Sequence, residues 1–344
     1  MRIGLVVQPM ERVPPLRSGA VEFIASSLVE GLVREGHDVT LFASGDSITS
    51  ARLVSPVPKA VEHDRDYSGQ TWWPQSILIS QVLALQDEFD VIHSHAGYWF
   101  LPALHALRTP ALMTWHGYVH RPITRRILSE FRRTPMIAPS DYQRRATSDL
   151  ALNWIATIPH GIPYADLPFS DSASEYLLFL GRINPVKRPD LAIRIARSSG
   201  LPIRLAGPVN NLEYFRGVIQ PLLRPPDIEF VGEITGRDKA RLLGEAVALI
   251  HTSEWESFGV AVIESLACGT PVLCFDRCSL PELVQHGVTG FVCDTPSAMR
   301  EGCLRVATLD RHRCRDDFLQ RFTCERMVSQ HERWYERLCG SEAP

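Results

Sequence analysis

Length, composition and charge narrow the class of protein before any motif is considered. The chain has 344 residues, about twice the size of a typical domain, so two domains with separate cores are expected. Its 45% hydrophobic and 22% charged residues and its formal net charge of -3 are typical of a globular protein, and they do not indicate a nucleic-acid partner.

The start of the chain and its apolar runs predict a cytoplasmic protein. The segment Met1–Val7 is short and apolar, and it lacks the basic start, long apolar core and small-residue cleavage site of a signal peptide. No run approaches the roughly 18 to 20 apolar residues that span a bilayer. We therefore expect reduced thiols for the eight cysteines, which lie in the last quarter of the chain without metal-ligand spacing.

The first half of the chain alternates short β-branched runs with helical patterns. It begins with a strand at Ile3–Val7, a helix at Val21–Arg34 and a strand at Val39–Phe42, which together form a βαβ unit. Ser140 and Gln143 predict a capping box at the start of a later helix. Four further strands are predicted at Val91–His93, Ala111–Thr114, Met136–Ala138 and Ile155–Ile158.

The alternation restarts after the Pro- and Ser-containing stretch Pro163–Ser174, where we place the domain boundary. Pro189 suits the first position of a helix, and Gly200 suits its end. Five strands are predicted here, at Tyr176–Leu180, Ile203–Ala206, Ile228–Val231, Ala248–Ile250 and Val272–Phe275.

These patterns predict an α/β protein with two doubly wound, Rossmann-like domains that face a cleft. Residues 1–165 form the first domain and residues 166–320 the second. The periodicity after Arg311 is helical throughout, so residues 321–344 are expected to form a terminal helix that crosses back to the first domain.

Ligands of open parallel sheets bind at the carboxyl ends of the strands, so the residues that follow the strands are candidate site residues. His116 ends a strand where it can donate to a sugar hydroxyl or a leaving phosphate, although a lone histidine at such a position is more often structural. His93 and His95 also end a strand; we assign them no role, because we expect them to face opposite sides of it. The other candidates at strand ends are Gly19, Gly117, Gly181, Arg182, Gly207, Gly232 and Glu256.

The segment from Glu256 to Glu264 places one carboxylate just before a predicted helix and another about two turns inside it. Ser257 can cap this helix, and the free amides near Phe258 and Gly259 suit a diphosphate. Glu264 can accept hydrogen bonds from both ribose hydroxyls, and Glu256 can bind sugar hydroxyls. The alternative is that Glu264 is a partly exposed helix residue and Glu256 a solvated loop carboxylate.

Two cations, and no metal ion, are predicted to neutralise the diphosphate. Arg182 and Lys187 lie between a strand and a helix, where they can bracket a diphosphate and stabilise the charge that develops as it leaves. Ordinary surface cations are the alternative. Asp64 and Asp66 have a spacing that suits a divalent cation, but they lie in a long polar connection far from these residues, so we predict no metal site.

Order and spacing of eight motifs give a resemblance to a known family. In the second half they are Gly181-Arg182 with Lys187, Glu256-x7-Glu264, Ala267-Cys-Gly-Thr-Pro-Val272 and Pro281-Glu-Leu-Val284. In the first half they are Gly36-His-Asp-Val-Thr-Leu41, Asp90-Val-Ile-His93, Thr114-Trp-His-Gly117 and Ile158-Pro-His-Gly161. Over nearly its whole length the chain resembles the family 4 glycosyltransferases, which have the GT-B fold.

The resemblance implies transfer of a hexosyl group from a nucleotide-diphosphate sugar to a hydroxyl acceptor, with retention and without a metal or other cofactor. UDP-sugars are preferred because uridine is common in the family, and UDP-glucose is our working donor. The first domain would bind the acceptor, which is a glycan, a lipid-linked sugar or a small molecule. The second domain would bind the donor.

The resemblance also assigns roles to single residues. Arg182 and Lys187 would bind the pyrophosphate, Glu264 the ribose and Glu256 the donor sugar, while His116 would contact that sugar near its reacting carbon. The amides of Phe258 and Gly259, Gly19 in the first loop, and the segments around Gly181, Gly207 and Gly232 would complete the donor site. The chain departs from the family at Ser18, where glycine is frequent, and at His160, where asparagine is frequent.

Partners and rival functions stay open at this point. A cluster of aromatic residues can stack on an acceptor or can belong to the core: Trp72, Trp73, Tyr98, Trp99, Trp115 and Tyr118. The basic segment Arg121–Arg145 can form a solvated face or make weak peripheral contact with an anionic membrane surface. A non-catalytic sugar-nucleotide sensor or partner subunit and a sugar-nucleotide 2-epimerase are the alternative functions.

Overall fold

The computed structural model describes residues 1–64 and 71–340, and the chain divides into two compact units. Met1–Ile162 and Cys324–Pro344 form the first unit, and Pro163–Thr323 forms the second. The predicted boundary at residue 165 lies a few residues beyond this division. Among the described residues, no helix combines the length and the hydropathy that crossing a bilayer requires.

The first unit contains a seven-stranded parallel sheet with the strand order β3-β2-β1-β4-β5-β6-β7. The central strands read as continuous apolar runs because both faces of the sheet are covered. The strands are β1 (Arg2–Val6), β2 (Asp38–Phe42), β3 (Arg52–Val54), β4 (Val91–Ser94), β5 (Ala111–Thr114), β6 (Met136–Ala138) and β7 (Trp154–Thr157).

Helices connect these strands. They are α1 (Ala20–Arg34), α2 (Trp72–Leu85), α3 (Leu101–Ala106), α4 (Pro122–Glu130) and α5 (Asp141–Arg145). The predicted capping box of α5 is wrong: Ser140 is the N-cap residue, but its side chain makes no capping hydrogen bond. The Gln143 side chain instead donates to the Gly117 carbonyl at 3.3 Å, so a contact between loops replaces the local one.

The second unit contains a six-stranded parallel sheet with the order β10-β9-β8-β11-β12-β13. Its strands are β8 (Leu177–Leu180), β9 (Ile203–Ala206), β10 (Ile228–Gly232), β11 (Ala248–His251), β12 (Val272–Phe275) and β13 (Gly290–Cys293). Its helices are α6 (Pro189–Ser199), α7 (Leu212–Tyr214), α8 (Gly236–Glu245), α9 (Val260–Ala267), α10 (Leu280–Leu283), α11 (Pro296–Arg305) and α12 (Arg311–Arg321).

Local sequence explains where α6 begins and ends. Pro189 is its first residue, where the missing N–H has no intrahelical partner to lose. Gly200 follows the last turn with φ +70°, a left-handed conformation that glycine adopts without strain. The helix buries Ile193 and Ala196 in the core of the unit. Both ends of α6 therefore lie where the sequence predicts them.

The last helix, α13 (Cys324–Leu338), belongs to the first unit and packs against α1. The two helices approach closely at Gly31, where an added Cβ would lie 2.4 Å from Cγ2 of Val328. The backbone N–H of Cys324 donates to the Ile162 carbonyl at 3.2 Å. The prediction that the C-terminal helical segment packs back on the first domain is thus confirmed, together with the α/β fold class.

Candidate active site

The carboxyl ends of β8 and β11 bring two predicted site residues of the second unit into contact. Lys187 follows β8 and Glu256 follows β11, and Lys187 Nζ lies 2.5 Å from Glu256 Oε2. Both side chains are largely buried, with 18% and 13% of their surfaces exposed. His251, the last residue of β11, places Nε2 3.4 Å from the same carboxylate oxygen. Glu256 is therefore not a solvated loop carboxylate.

The electrostatics of this cluster keep Glu256 ionised. Burial acts to raise the pKa of Glu256, but the Lys187 ammonium and the hydrogen bond to His251 together hold it well below its ordinary value. Burial lowers the pKa of His251, and the neighbouring Glu256 offsets this only in part. The His251 Nδ1 atom is buried and has no hydrogen-bond partner among the described residues.

Glu264 lies inside α9 and is 5% exposed. Its Oε1 atom accepts a hydrogen bond from Lys239 Nζ of α8 at 2.6 Å. The interpretation of Glu264 as a partly exposed helix residue is therefore wrong. A second lysine–carboxylate pair lies in this unit, and its carboxylate is almost completely buried.

The N-terminus of α9 begins at Gly259 and not at Ser257. Gly259 is the N-cap residue with φ +117°, so Ser257 lies two residues before the position that a capping residue occupies. Phe258 is buried, and its carbonyl accepts a hydrogen bond from Ser279 Oγ at 2.7 Å. The same hydroxyl contacts the Glu256 carbonyl at 3.2 Å. Ser279 thus fixes the loop that carries Glu256 into the helix.

Three predicted glycines lie at adjacent strand ends. Gly181, Gly207 and Gly232 end or follow β8, β9 and β10, which are neighbours in the sheet. Gly207 has φ +141°, and a Cβ at this position would lie 2.0 Å from the Gly181 carbonyl oxygen. Its N–H donates to the Gly232 carbonyl at 2.8 Å. No larger residue fits at Gly207, so this edge of the sheet presents backbone.

Arg182 follows Gly181 and is exposed, with no ion pair to any residue that the structure describes. The loop that follows folds back on itself, because the Lys187 N–H donates to Asn184 Oδ1 at 3.0 Å. Arg182 and Lys187 therefore belong to one loop but differ in environment. Lys187 is committed to a carboxylate, whereas the Arg182 guanidinium is open to solvent.

In the first unit, Gly19 is the N-cap residue of α1. An added Cβ there would lie 2.8 Å from Pro15 Cβ and 2.8 Å from Glu22 Oε2, so the loop is tight at this position. Burial raises the pKa of Glu22 to about 7, assisted by the charges of Glu11 and Glu62. A carboxylic group that titrates near neutral pH thus lies beside the predicted phosphate loop.

His116 is part of a group of histidines that sequence reasoning did not connect. His95 Nδ1 lies 2.9 Å from His116 Nε2, and the His160 ring stacks on His116 with centroids 5.0 Å apart. The rings of His93 and His95 are 4.4 Å apart. The prediction that these two face opposite sides is wrong, because side chains at i and i+2 of an extended strand share a face.

Burial also determines the protonation state of these histidines. Burial lowers the pKa of His116 to about 3, and it lowers the pKa values of His93 and His95 well below their ordinary value. His116 is therefore neutral at physiological pH. It can offer one N–H and one lone pair to its surroundings, and it carries no positive charge.

The remaining aromatic and basic candidates separate into core and surface. Trp115 is 2% exposed and its Nε1–H donates to the Gly117 carbonyl at 3.1 Å, so it belongs to the core. Trp72, Tyr98 and Trp99 are exposed. In the basic segment, Leu128 is buried and Arg125 pairs with Asp149, whereas Ile123 is 65% exposed.

Metal ligation has no support in the described part of the chain. Within residues 1–64 and 71–340, no group of three or more histidine, cysteine, aspartate or glutamate side chains is arranged to hold a metal ion. Asp64 follows a short 3₁₀ helix at Val61–His63, and Asp66 lies outside the described residues. The absence of a catalytic metal therefore stays a prediction.

Sequence reasoning missed His251 and Lys239, the two partners that complete the carboxylate sites. His251 is a polar residue at the end of an otherwise apolar buried strand, and this pattern is visible in the sequence. Lys239 lies on an exposed-looking helix, 25 residues before Glu264, and only the tertiary structure brings them together.

Two family models match the chain, one in each half. The model described as Glycosyltransferase Family 4 matches residues 21–165, and the model described as Glycosyl transferases group 1 matches residues 168–308. The chain belongs to the family 4-like glycosyltransferases. This family 4-like glycosyltransferase is an enzyme, and its two α/β units with parallel sheets are those of the GT-B fold.

Relatives of this family 4-like glycosyltransferase carry glycosyl-transfer names. The phosphatidyl-myo-inositol mannosyltransferase of Mycolicibacterium smegmatis is 25% identical, with 99% of this chain and 95% of that protein covered. The N-acetyl-alpha-D-glucosaminyl L-malate synthase of Bacillus anthracis is 33% identical over 28% of this chain and 27% of its own length.

Solved structures show the same fold. AviGT4, a glycosyltransferase involved in avilamycin A biosynthesis, superposes with a TM-score of 0.77 at 24% identity, covering 99% of both chains. Anabaena Alr3699/HepE in complex with UDP and glucose gives a TM-score of 0.76 at 16% identity, covering 97% of this chain and 99% of that one.

Proposed function

We propose that this enzyme transfers a hexosyl group from a UDP-sugar to a hydroxyl acceptor, with retention at the reacting carbon and without a metal ion. UDP-glucose is the working donor. The observation that carries the proposal is the buried pair of Lys187 and Glu256 at the N-terminal end of α9. A buried, ionised carboxylate beside an ammonium and the N-terminus of a helix suits a ligand with both hydroxyls and phosphates.

Lys187 and Arg182 have complementary tasks in this proposal. The bond between the sugar carbon and the diphosphate oxygen breaks, and negative charge develops on that oxygen. Lys187 stabilises this charge from a partly buried position, where an electrostatic contact is stronger than in water. Arg182 is exposed, and its planar guanidinium can close on the diphosphate bidentately when donor binds.

Glu256 and Glu264 bind hydroxyls at two ends of the donor. Glu256 is ionised and accepts hydrogen bonds from hydroxyls of the sugar, and the amides of Phe258 and Gly259 lie next to it. Glu264 lies near the middle of α9 and accepts from the ribose hydroxyls, with Lys239 fixing its orientation. Gly207 and Gly232 leave the neighbouring strand ends free of side chains, which suits a flat base.

The choice of donor and acceptor follows from relatives and not from geometry. The structure of Anabaena Alr3699/HepE contains UDP and glucose, which supports a UDP-sugar as the first donor to test. The mycobacterial relative is named as acting on a phosphatidyl-myo-inositol, which supports including a lipid-linked acceptor beside glycans and small molecules. A cytoplasmic location stays a prediction.

We also propose weak contact of the first unit with an anionic membrane surface. Ile123 of α4 is 65% exposed, and Tyr98 and Trp99 are exposed on the short helix Gly97–Phe100 beside it. Exposed arginines lie at the start of α4 and on it, among them Arg121 and Arg126. Aromatic rings with arginines are typical of an interfacial surface. Binding to anionic but not to zwitterionic vesicles at low salt is expected; binding to neither would refute this contact.

Thermal unfolding with a panel of UDP-, GDP-, ADP- and dTDP-sugars, each with and without a chelator, tests the donor without an acceptor. A ligand at about 100 times its Kd adds about 2.7 kcal/mol of stability, so a shift of several degrees is expected for one base. We expect this shift with UDP-sugars, unchanged by the chelator. No shift with any donor would overturn the proposal, and a chelator-sensitive shift would overturn metal independence.

The panel also leads to a test of the two rival functions. The donor that gives the shift is incubated alone, and its sugar is then analysed. A donor sugar epimerised without acceptor would identify a 2-epimerase, and a donor that binds but never turns over with any acceptor would identify a sensor. Release of the nucleoside diphosphate together with a glycosylated acceptor supports the transferase.

A further inference from the structure

Five imidazoles lie together in the first unit, and they differ in exposure. Four of them are buried, and His116 is only partly buried. Ring contacts join them in sequence from His331 through His93 and His95 to His116 and His160, with neighbouring centroids 4.4 to 5.3 Å apart. His116 is thus the most exposed member of this group of five histidines. The donor site described above gives the other four no role.

The contact between His95 and His116 spans neighbouring strands. His95 follows β4, His116 follows β5, and their side chains meet through His95 Nδ1 and His116 Nε2 at 2.9 Å. The backbone N–H of His95 donates to the Val6 carbonyl of β1 at 2.7 Å, so the position of His95 is fixed by the sheet. One of the two imidazoles must donate a proton in this hydrogen bond.

The second nitrogen of His95 decides which imidazole donates. His95 Nε2 is buried, with no hydrogen-bond partner among the described residues. If His116 donated, the neutral His95 would carry its own proton on Nε2, as a buried N–H without an acceptor. If His95 donates from Nδ1, its Nε2 keeps a bare lone pair. Buried N–H groups without acceptors are the rarer arrangement in folded proteins, so donation by His95 is favoured.

His331 shows the same proton arrangement within this group. Its Nδ1 lies 2.8 Å from the Met327 carbonyl oxygen, which can only accept, so the proton of His331 is on Nδ1. Its Nε2 is likewise buried and has no partner in the described part of the chain. His331 is therefore an imidazole of the same group whose Nε2 is buried and unprotonated, which is the arrangement inferred for His95.

If His116 Nε2 accepts from His95, the proton of the neutral His116 ring is on Nδ1. His116 Nδ1 has no partner among the described residues and is not one of the buried unpartnered atoms, so it lies at the exposed edge of the ring. The stacked His160 ring, at an interplanar angle of 27°, fixes the plane of His116 from the other side. Position and plane of this N–H are both set by neighbouring histidines.

We propose that His95 is a positioning residue: it donates Nδ1–H to His116 Nε2 and so fixes His116 in the Nδ1–H tautomer, as a hydrogen-bond donor to an oxygen of the donor sugar. His116 is then unable to act as a base through its exposed nitrogen. The role of the N–H toward the sugar rests on the proposed function and on the contact between His116 and the donor sugar that the family resemblance implies. The tautomer itself does not.

Nitrogen-15 NMR of the full chain with labelled histidine tests the tautomer directly, because protonated and bare imidazole nitrogens differ strongly in chemical shift. The His116 resonances are identified by their loss in His116→Gln. We expect protonated Nδ1 and bare Nε2 for His116 at pH 7.5. A proton on His116 Nε2 would overturn the proposal, whether or not the protein turns over a sugar nucleotide.

Two substitutions of His95 separate positioning from packing. His95→Asn keeps an N–H near the place of Nδ1, whereas His95→Leu fills part of the volume and donates nothing. With UDP-glucose and water as acceptor, we expect kcat/KM for UDP release to fall about tenfold in His95→Leu, equivalent to about 1.4 kcal/mol. His116 should then populate both tautomers. His95→Asn should retain the tautomer and stay within about threefold of wild type.

His331→Leu is the matched control, because it removes another buried histidine that makes no hydrogen bond to His116. It should keep the tautomer and kcat/KM of the wild type, and thermal unfolding shows that each variant is folded. Equal losses in His95→Leu and His95→Asn, or a His95→Leu protein with unchanged tautomer, would refute positioning by His95. Failure of all proteins to bind UDP-glucose would instead refute the proposed donor.

Discussion

At the scale of single residues, the donor site combines two buried carboxylates, each with its own lysine. Glu256 pairs with Lys187 and Glu264 with Lys239, and both carboxylates are largely buried. Removing one member of a buried pair leaves the other charged and unpaired, which costs about 3 to 5 kcal/mol of stability. A loss of activity after mutation of either lysine therefore needs a control that separates folding from chemistry.

Lys187→Met should lower kcat at least about tenfold, because one charge-assisted contact to the departing diphosphate is lost. It should also lower Tm, since Glu256 loses its cation. In the double variant Lys187→Met with Glu256→Gln, the buried charge is removed, so Tm should recover, while kcat should stay below that of Glu256→Gln alone. A double variant that turns over as fast as Glu256→Gln alone would show that Lys187 acts only through folding.

Glu264→Gln should affect donor binding more than turnover. The amide keeps the size of the side chain but replaces one acceptor oxygen by a donor, so the ribose loses a charge-assisted hydrogen bond worth about 1.5 to 3 kcal/mol. The expected result is a Kd for UDP raised more than tenfold by calorimetry, with a much smaller change in kcat. A large fall in kcat at unaltered UDP affinity would contradict the ribose role.

At the scale of secondary-structure elements, the packing of α13 on α1 fixes the C-terminus in the first unit. The contact depends on Gly31, which leaves no room for a Cβ beside Val328. In an isolated helix, Gly→Ala stabilises by about 0.5 to 1 kcal/mol, because glycine has the larger unfolded-state entropy. The packing constraint at Gly31 should reverse this sign.

Gly31→Ala should therefore lower the free energy of unfolding by about 1 to 3 kcal/mol, the range typical of an overpacked site. Val328 is β-branched and cannot swing aside, so the helices must separate. In the double variant Gly31→Ala with Val328→Ala, the space is restored, and the two substitutions should show favourable coupling in a denaturant titration. If the effects of the two substitutions on the free energy of unfolding were additive, Gly31→Ala would not clash with Val328.

The elements and site residues that could be predicted from the sequence have local patterns. Buried parallel strands are continuous apolar runs, and candidate residues such as Arg182 and Glu256 directly follow them. The edge strands β3 and β13 were not predicted, because Arg52–Val54 is short and half exposed and Gly290–Cys293 starts with glycine. That glycine is required by packing: a Cβ on Gly290 would lie 1.9 Å from the Val272 carbonyl oxygen.

The partners of the site residues could not be predicted, because they are distant in sequence. Lys187 and Glu256 are separated by 69 positions, and His95 and His116 by 21, so only the sheet topology brings them together. The misplacement of His93 and His95 on opposite faces has a different origin. It follows from an error in applying strand periodicity. Adjacent residues of a strand point to opposite faces, so residues two apart, such as His93 and His95, point to the same face.

At the scale of the whole molecule, the two units differ in how many buried histidines respond to acid. In the first unit, burial lowers the pKa values of His93, His95, His116 and His331, the last to about 4. In the second unit, burial lowers the pKa of His251, an effect that Glu256 offsets in part, and the pKa of Glu256 is held well below its ordinary value. Histidines begin to titrate near 6.5 in an unfolded chain and glutamates near 4.5, so mild acid should act most strongly on the unit with more buried histidines.

The sign of the histidine effect follows from proton binding. Below pH 6.5 the histidines of the unfolded chain bind protons, whereas the buried histidines of the folded chain stay neutral. The stability that the neutral histidines contribute is therefore complete above pH 6.5 and is lost as the pH falls toward 4. Glu22 acts in the opposite direction, because its pKa is raised to about 7 and the folded state binds its proton first. Four lowered histidines outweigh one raised carboxyl group, so the first unit should lose stability on mild acidification.

Hydrogen–deuterium exchange at pH 7.5 and 5.5 measures this loss for each unit within one protein. After correction for the intrinsic pH dependence of exchange, protection of β4 and β5 should fall at least about tenfold at pH 5.5, since one fully excluded proton is worth about 1.4 kcal/mol there. Strands β11 and β12 should change less, because one buried histidine there, His251, has a lowered pKa that Glu256 offsets in part, and Glu256 itself loses its contribution only below about pH 4.5. Glu22→Gln should steepen the fall in β4 and β5, and equal losses in both units would contradict a histidine origin.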